Sequence, residues 1–67
     1  MSDELAEIVS ERVEKIRDRA YDPECAHCEE KDLWQEVLEW AAAGHDVKAA
    51  SQEALKTTEI GFPRWFA

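Results

Sequence analysis

Basic residues are scarce in this chain, and long apolar runs are missing. Of its 67 residues, 16 are Asp or Glu and 8 are Lys or Arg, so the formal net charge is −8 with both histidines neutral. That charge argues against unaided binding to nucleic acid or to an anionic membrane. No apolar stretch approaches the roughly 20 residues that span a bilayer. Asp3 and Glu4 stand where a signal peptide needs basic residues, so we expect a cytoplasmic protein with no membrane partner.

The sequence also lacks a catalytic signature. No nucleophile with a paired base, no carboxylate pair in a recognisable cleft and no phosphate-binding loop can be assigned, so we predict that the protein is not an enzyme. A chain this short builds one core at most, because it buries only about 60% of its unfolded surface. Hydrophobic residues at 45% and three tryptophans exceed the content of a disordered acidic tail. We therefore predict one folded domain over residues 1–67.

Apolar residues recur at spacings of three and four in three segments, and no strand pattern or internal repeat accompanies them. The spacing predicts an all-α fold, a small three-helix bundle whose first helix covers about residues 3–20. The second helix ends near residue 43, where Gly44 is placed for a left-handed cap, and begins at about residue 24 or at about residue 31. The third covers about residues 47–58, with Asp46 as its cap.

Residues 59–67 form a non-helical aromatic tail in this prediction, because large apolar side chains surround Gly61 and Pro63. One interpretation is a lid that closes the bundle. The other is an exposed anchor that binds a partner through Arg64 and Trp65, since arginine and aromatic residues dominate interface energies. A second protomer would also help to complete so small a core, so we expect a homodimer.

The negative charge is concentrated in the middle of the chain. Residues 22–46 carry eight acidic residues and one base, Lys31, for a net charge of −7, whereas the segments before and after carry −2 and +1. On a helical wheel the carboxylates form one row on each of the first two helices, and we predict that the second row lies opposite the apolar stripe. The first acidic row comprises Glu7, Glu11, Glu14 and Asp18, and the second acidic row comprises Glu29, Asp32, Glu36 and Glu39.

Two interpretations of these rows are open. The simpler is that they are the solvated faces of amphipathic helices. The second interpretation is that the rows bind a partner, and it rests on repulsion between the carboxylates. Like charges at i,i+3 and i,i+4 destabilise a helix by about 0.2–0.5 kcal/mol per pair, and the second helix has almost no base to relieve them. On that basis we predict a non-catalytic acidic binding module that docks on a basic site of a partner protein, as an inhibitor or adaptor of a nucleic-acid-handling protein. One row alone is too sparse to imitate DNA, so mimicry would need both rows side by side or a dimer.

Cys25, His27 and Cys28 form the only motif with metal or thiol chemistry in the sequence. The two cysteines have suitable spacing for zinc, but His27 can join them only in a loop, since on a helix it points away from both. A zinc-stabilised homodimer that shares the cysteines is one alternative, and two thiols that fill a helix-start contact are another. Redox catalysis is disfavoured because no strand precedes the motif. No cofactor other than this structural zinc is indicated.

Residues 43–50, AGHDVKAA, followed by Arg64 and Trp65, resemble the helix-turn-helix of small transposase-like and terminase-like proteins. The resemblance covers about a third of the chain and implies a further alternative, a degenerate helix-turn-helix protein that binds DNA. The helix that would enter the groove would contain Gly61 and Pro63 and few bases, which does not favour groove entry or phosphate contact. No binding residue is transferred from this resemblance.

Overall fold

The computed structural model describes residues 3–62, which form a three-helix bundle. The elements in chain order are α1 (Glu4–Asp18), α2 (Pro23–Ala42), α3 (Lys48–Ala54) and a short 3₁₀ helix (Leu55–Glu59). No strand occurs between residues 3 and 62. The predicted small all-α three-helix bundle is confirmed. Arg64 and Trp65 lie outside the described residues.

Side-chain caps fix the starts of the two long helices. The Asp3 carboxylate accepts a hydrogen bond from the Ala6 amide at 3.1 Å, which satisfies one of the free donors at the start of α1. Asp22 accepts from the Cys25 amide at 3.3 Å, and Pro23 occupies the first turn of α2. The Asp22 cap lies at the earlier of the two starts expected for the second helix. The stretch from Cys25 to Lys31 is therefore part of α2.

A Schellman motif ends α2. Gly44 has φ +94°, as its place in the sequence predicted, and its amide donates to the Ala41 carbonyl at 3.0 Å. The His45 amide donates to the Trp40 carbonyl, also at 3.0 Å, so the carbonyls of Ala41 and Trp40 in the last turn of α2 both accept hydrogen bonds from residues beyond the helix. Asp46 then accepts from the Lys48 amide at 3.1 Å, which turns the chain into α3.

The third helix is shorter than predicted. Its α-helical part ends at Ala54, and residues 55–59 tighten into the 3₁₀ helix. The Ala54 carbonyl, which an α-helix would pair with the amide four residues on, instead accepts from the Thr57 hydroxyl at 3.0 Å and from Trp34 Nε1 at 3.3 Å. Competition from these two side chains explains the change of helix type.

One core holds the elements together. α1 packs against both α2 and α3, more extensively against α3. The buried apolar residues come from the three α-helices and from the start of the predicted tail: Val9, Val13, Ile16, Ala26, Leu33, Val37, Ala50, Ala54, Ile60 and Phe62. The outer faces of α1 and α2 therefore remain available for other contacts. Within residues 3–62, no helix combines the length and the apolarity that a membrane crossing requires.

Candidate functional site

The first acidic row lies on the outer face of α1. Its four carboxylates are exposed, on the side of the helix away from the buried Val9, Val13 and Ile16. Arg17 Nε lies 3.6 Å from a Glu14 oxygen. No other base of residues 3–62 lies within 4.0 Å of this row. Most of its charge is therefore directed to solvent.

The second acidic row differs from its prediction. Glu29 and Glu36 do not lie opposite the apolar stripe of α2 but beside it, facing α1, where both are only partly exposed. The Glu36 carboxylate accepts a hydrogen bond from Arg12, and that of Glu29 accepts one from Arg19. The repulsion on α2 is therefore relieved in part by two bases outside that helix, Arg12 and Arg19, although Lys31 is the only base within α2 itself.

Asp32 and Glu39 are the members of the second acidic row that stay exposed. Neither has a basic group within 4.0 Å among residues 3–62. They lie one helical turn from Glu29 and Glu36 respectively, on the solvent side of those paired residues. We retain these two as candidate partner-binding residues.

A basic strip separates the two rows. A groove of about 270 Å³ between α1 and α2 brings together side chains of both signs, with two bases from α1 and the Arg19 that follows it facing two acids from α2. Its charged lining residues are Arg12, Lys15, Arg19, Glu29 and Asp32. The two acidic rows consequently do not merge into one negative surface. DNA mimicry by a single chain would need the two rows side by side, and the structure does not place them so.

The Cys25–Cys28 stretch lies inside α2, so it is not the loop that His27 would need in order to join the two cysteines on one metal ion. On the helix, His27 points away from the cysteines, and its Nδ1 lies 4.0 Å from Oε1 of the buried Glu30. Cys28 is exposed and Cys25 partly exposed, both as free thiols. Among residues 3–62, no group of three His, Cys, Asp or Glu side chains is arranged to hold a metal ion.

The resemblance to a helix-turn-helix does not extend to a recognition helix. Such a helix would have to follow α3, where the structure has five residues of 3₁₀ helix. Ile60 is extended, with φ −81° and ψ 122°, and both it and Phe62 are buried. Between α3 and residue 62 the chain therefore contains no recognition helix of the helix-turn-helix type.

An apolar groove between α2 and α3 is the feature that sequence reasoning missed. Leu38 is 69% exposed, Leu55 is 60% exposed and Trp34 is 39% exposed. They line an open recess of about 240 Å³ together with Val37, Ser51 and Ala54. The helical spacing of the second segment gives no sign of this groove, because the exposure of Trp34 and Leu38 depends on how α2 and α3 pack.

The chain was compared with known proteins. No family model, curated protein or solved structure matches it.

Proposed function

We propose that this protein is a non-catalytic acidic binding module that docks on a basic site of a partner protein. The observation that carries the proposal is the first acidic row, four exposed carboxylates with one base of residues 3–62 beside them. Acidic side chains left without internal partners are suited to steer a basic protein into contact.

The spacing of the row fits a protein partner better than it fits nucleic-acid mimicry. From Glu7 to Asp18 the helix rises roughly 16 Å, about 5 Å per carboxylate, whereas duplex DNA carries one charge per about 1.7 Å. A helix or strand with lysines and arginines at similar spacing would complement it. Asp32 and Glu39 would contact the rim of such a partner.

The row is kept at a cost in stability. Glu7 and Glu11, and Glu14 and Asp18, are like charges at i,i+4, and each such pair destabilises a helix by about 0.2–0.5 kcal/mol. Asp18 also ends α1, where a negative charge opposes the helix dipole. A solvated face without a binding role would tolerate neutral residues at these positions at least as well.

The proposal also names a class of partner, a protein that handles nucleic acid. Proteins that handle nucleic acid carry basic surfaces for phosphates, and a module that covers such a surface acts as an inhibitor, while one that binds beside it acts as an adaptor. Competition decides between the two: nucleic acid displaces an inhibitor from the purified partner and leaves an adaptor bound.

Neutralising the first acidic row tests the proposal. We expect Glu11→Gln/Asp18→Asn to stabilise the fold slightly while weakening capture of the partner from extracts of the native host by about 2- to 30-fold, at about 0.2–1 kcal/mol per contact. Mass spectrometry identifies the partner, and calorimetry with the purified partner measures the dissociation constant at two salt concentrations.

A matched variant removes two exposed charges elsewhere. Glu24→Gln/Glu59→Gln has the same net charge as the test variant and leaves both rows intact. If the two variants bind the partner equally well, the first acidic row is not the docking surface. Asp32→Asn/Glu39→Gln measures the smaller share that we assign to the second row.

A further inference from the structure

The apolar groove between α2 and α3 lies outside the acidic face. We propose that it is the surface on which a second copy of this chain docks, through a two-fold interface centred on Leu38 and Leu55. This inference goes beyond the proposed function, since it concerns another face and needs no basic partner.

The groove presents hydrocarbon to solvent. Trp34, which forms its floor beside Val37, uses its indole N–H inside the protein, donating to the Thr57 hydroxyl at 3.2 Å and to the Ala54 carbonyl at 3.3 Å. The exposed part of the ring is therefore apolar. A second recess, which Trp34 and Leu38 also line, continues this mostly apolar surface past His27, Glu30, Lys31 and Gln35. Large apolar patches of this kind mark interaction sites.

The distribution of charge identifies the occupant. None of the residues lining the groove is charged, whereas the outer face of α1 and the Asp32–Glu39 edge of α2 carry carboxylates without internal partners. In a chain with a net charge of −8, two copies repel each other most strongly where those faces meet and least where their uncharged grooves meet. A basic partner finds no carboxylate in the groove, and an anionic bilayer repels the chain.

The shape of the face suits a two-fold contact. A symmetric dimer uses the same surface patch on both copies. For the two patches to fit together, each must carry both a projecting side chain and the recess that receives it. Leu38 and Leu55 project beside a recess of about 240 Å³, and a cavity of about 150 Å³ already takes a benzene ring. Leu38 of one copy can therefore enter the recess of the other.

Sedimentation equilibrium of the full chain over a range of concentrations tests the inference. We expect the mass to rise with concentration toward twice the monomer value of 7.7 kDa. Leu38→Glu should raise the dissociation constant of the dimer at least about tenfold, since it places a charge in an apolar contact. Tyr21→Glu is the matched control, because Tyr21 is 85% exposed and lies away from the groove. It should leave the dimer unchanged.

Several outcomes overturn the inference. The inference is wrong if the chain stays monomeric at every concentration. It is also wrong if Leu38→Glu and Tyr21→Glu weaken the dimer equally. If the chain is monomeric and dimerises only after Trp65→Glu, the chain's own C-terminal residues cover the groove. That outcome also overturns the inference that a second copy occupies it. If circular dichroism shows that Leu38→Glu has lost helix, Leu55→Glu takes its place. No partner protein is needed in this assay, and Glu11→Gln/Asp18→Asn should dimerise normally. If the dimer inference fails, the proposed function therefore still stands.

Discussion

At the scale of single residues, Thr57 shows how a buried polar group shapes the structure around it. The side chain is 0% exposed, donates to the Ala54 carbonyl and accepts from the Trp34 indole. These bonds join α2 to the end of α3 and fix the indole at the groove. Buried hydroxyls without such partners are costly, so the arrangement stabilises the fold only as a complete set.

The neighbouring threonine provides a control for this network. Thr57→Val keeps the shape but removes the hydroxyl, and we expect a loss of about 1 kcal/mol in the free energy of unfolding. Thr58 makes a similar bond to the Leu55 carbonyl but is exposed, so Thr58→Val should change stability by less than about 0.5 kcal/mol. Urea denaturation measures both. Equal losses in the two variants would show that the contact with Trp34 adds nothing.

At the scale of elements, charge pairing sets the register of α1 against α2. Arg12 on α1 and Arg19 at its C-cap are seven residues apart, and Glu29 and Glu36 are seven apart on α2. Their pairing is crossed in sequence, with Arg12 on Glu36 and Arg19 on Glu29, as antiparallel helices require. This pattern of matched spacing was visible in the sequence and could have indicated which carboxylates are neutralised.

A double-mutant cycle measures the contribution of one such pair. With Arg12→Gln and Glu36→Gln, singly and together, we expect a coupling energy of about 0.5–1 kcal/mol that falls as salt is added. The Arg17–Glu14 pair, which lies within α1 and is more exposed, should give about 0.3–0.5 kcal/mol or less. A zero coupling for Arg12 and Glu36 would contradict the assignment of register to this pair.

The end of α2 offers a second prediction at this scale. Gly44→Ala places a Cβ at φ +94°, and we expect a cost of about 1–2 kcal/mol from backbone strain alone. No atom lies within 4 Å of the added Cβ at either Gly44 or Gly61, and Gly61 lacks the left-handed φ. Gly61→Ala should therefore be neutral or slightly stabilising. Thermal unfolding of the two variants separates strain from crowding, and a neutral Gly44→Ala would argue against the Schellman cap.

At the scale of the whole molecule, stability depends on a small core to which the chain beyond the helices contributes. Ile60 and Phe62 are 5% and 7% exposed, although neither belongs to a regular element. A single core in a domain of this size rarely supplies more than about 3–5 kcal/mol. Each large buried side chain is consequently a sizeable fraction of the total.

Phe62→Ala tests this dependence. We expect a loss of about 3–5 kcal/mol, enough to abolish cooperative unfolding at 25 °C. Tyr21→Ala removes an aromatic ring that is 85% exposed and should change stability by less than about 0.5 kcal/mol. A cooperative unfolding transition retained by Phe62→Ala would show that the three helices alone suffice for the core.

How much was predictable differs between the fold and the candidate site. Apolar spacing and capping residues such as Asp22 predicted the helices, because both act over a few neighbouring positions. The first acidic row was predictable for the same reason. The fate of Glu29 and Glu36 was not predicted, because the periodicity of one helix does not show its ion-pair partners elsewhere, and only the matched spacing with Arg12 and Arg19 pointed to it. Nor was the exposure of Leu38 predicted, which depends on how α2 and α3 pack against each other.

The sequence by itself determined that this is an acidic all-α chain, near which residue α1 begins, and that α2 ends shortly before Gly44, because periodicity, charge and caps are local properties. Only the tertiary structure decided which carboxylates face solvent, whether Cys25, His27 and Cys28 can meet, and where apolar surface stays uncovered. Those outcomes depend on packing between elements far apart in the chain, and one side-chain competition, at the Ala54 carbonyl, altered the last helix.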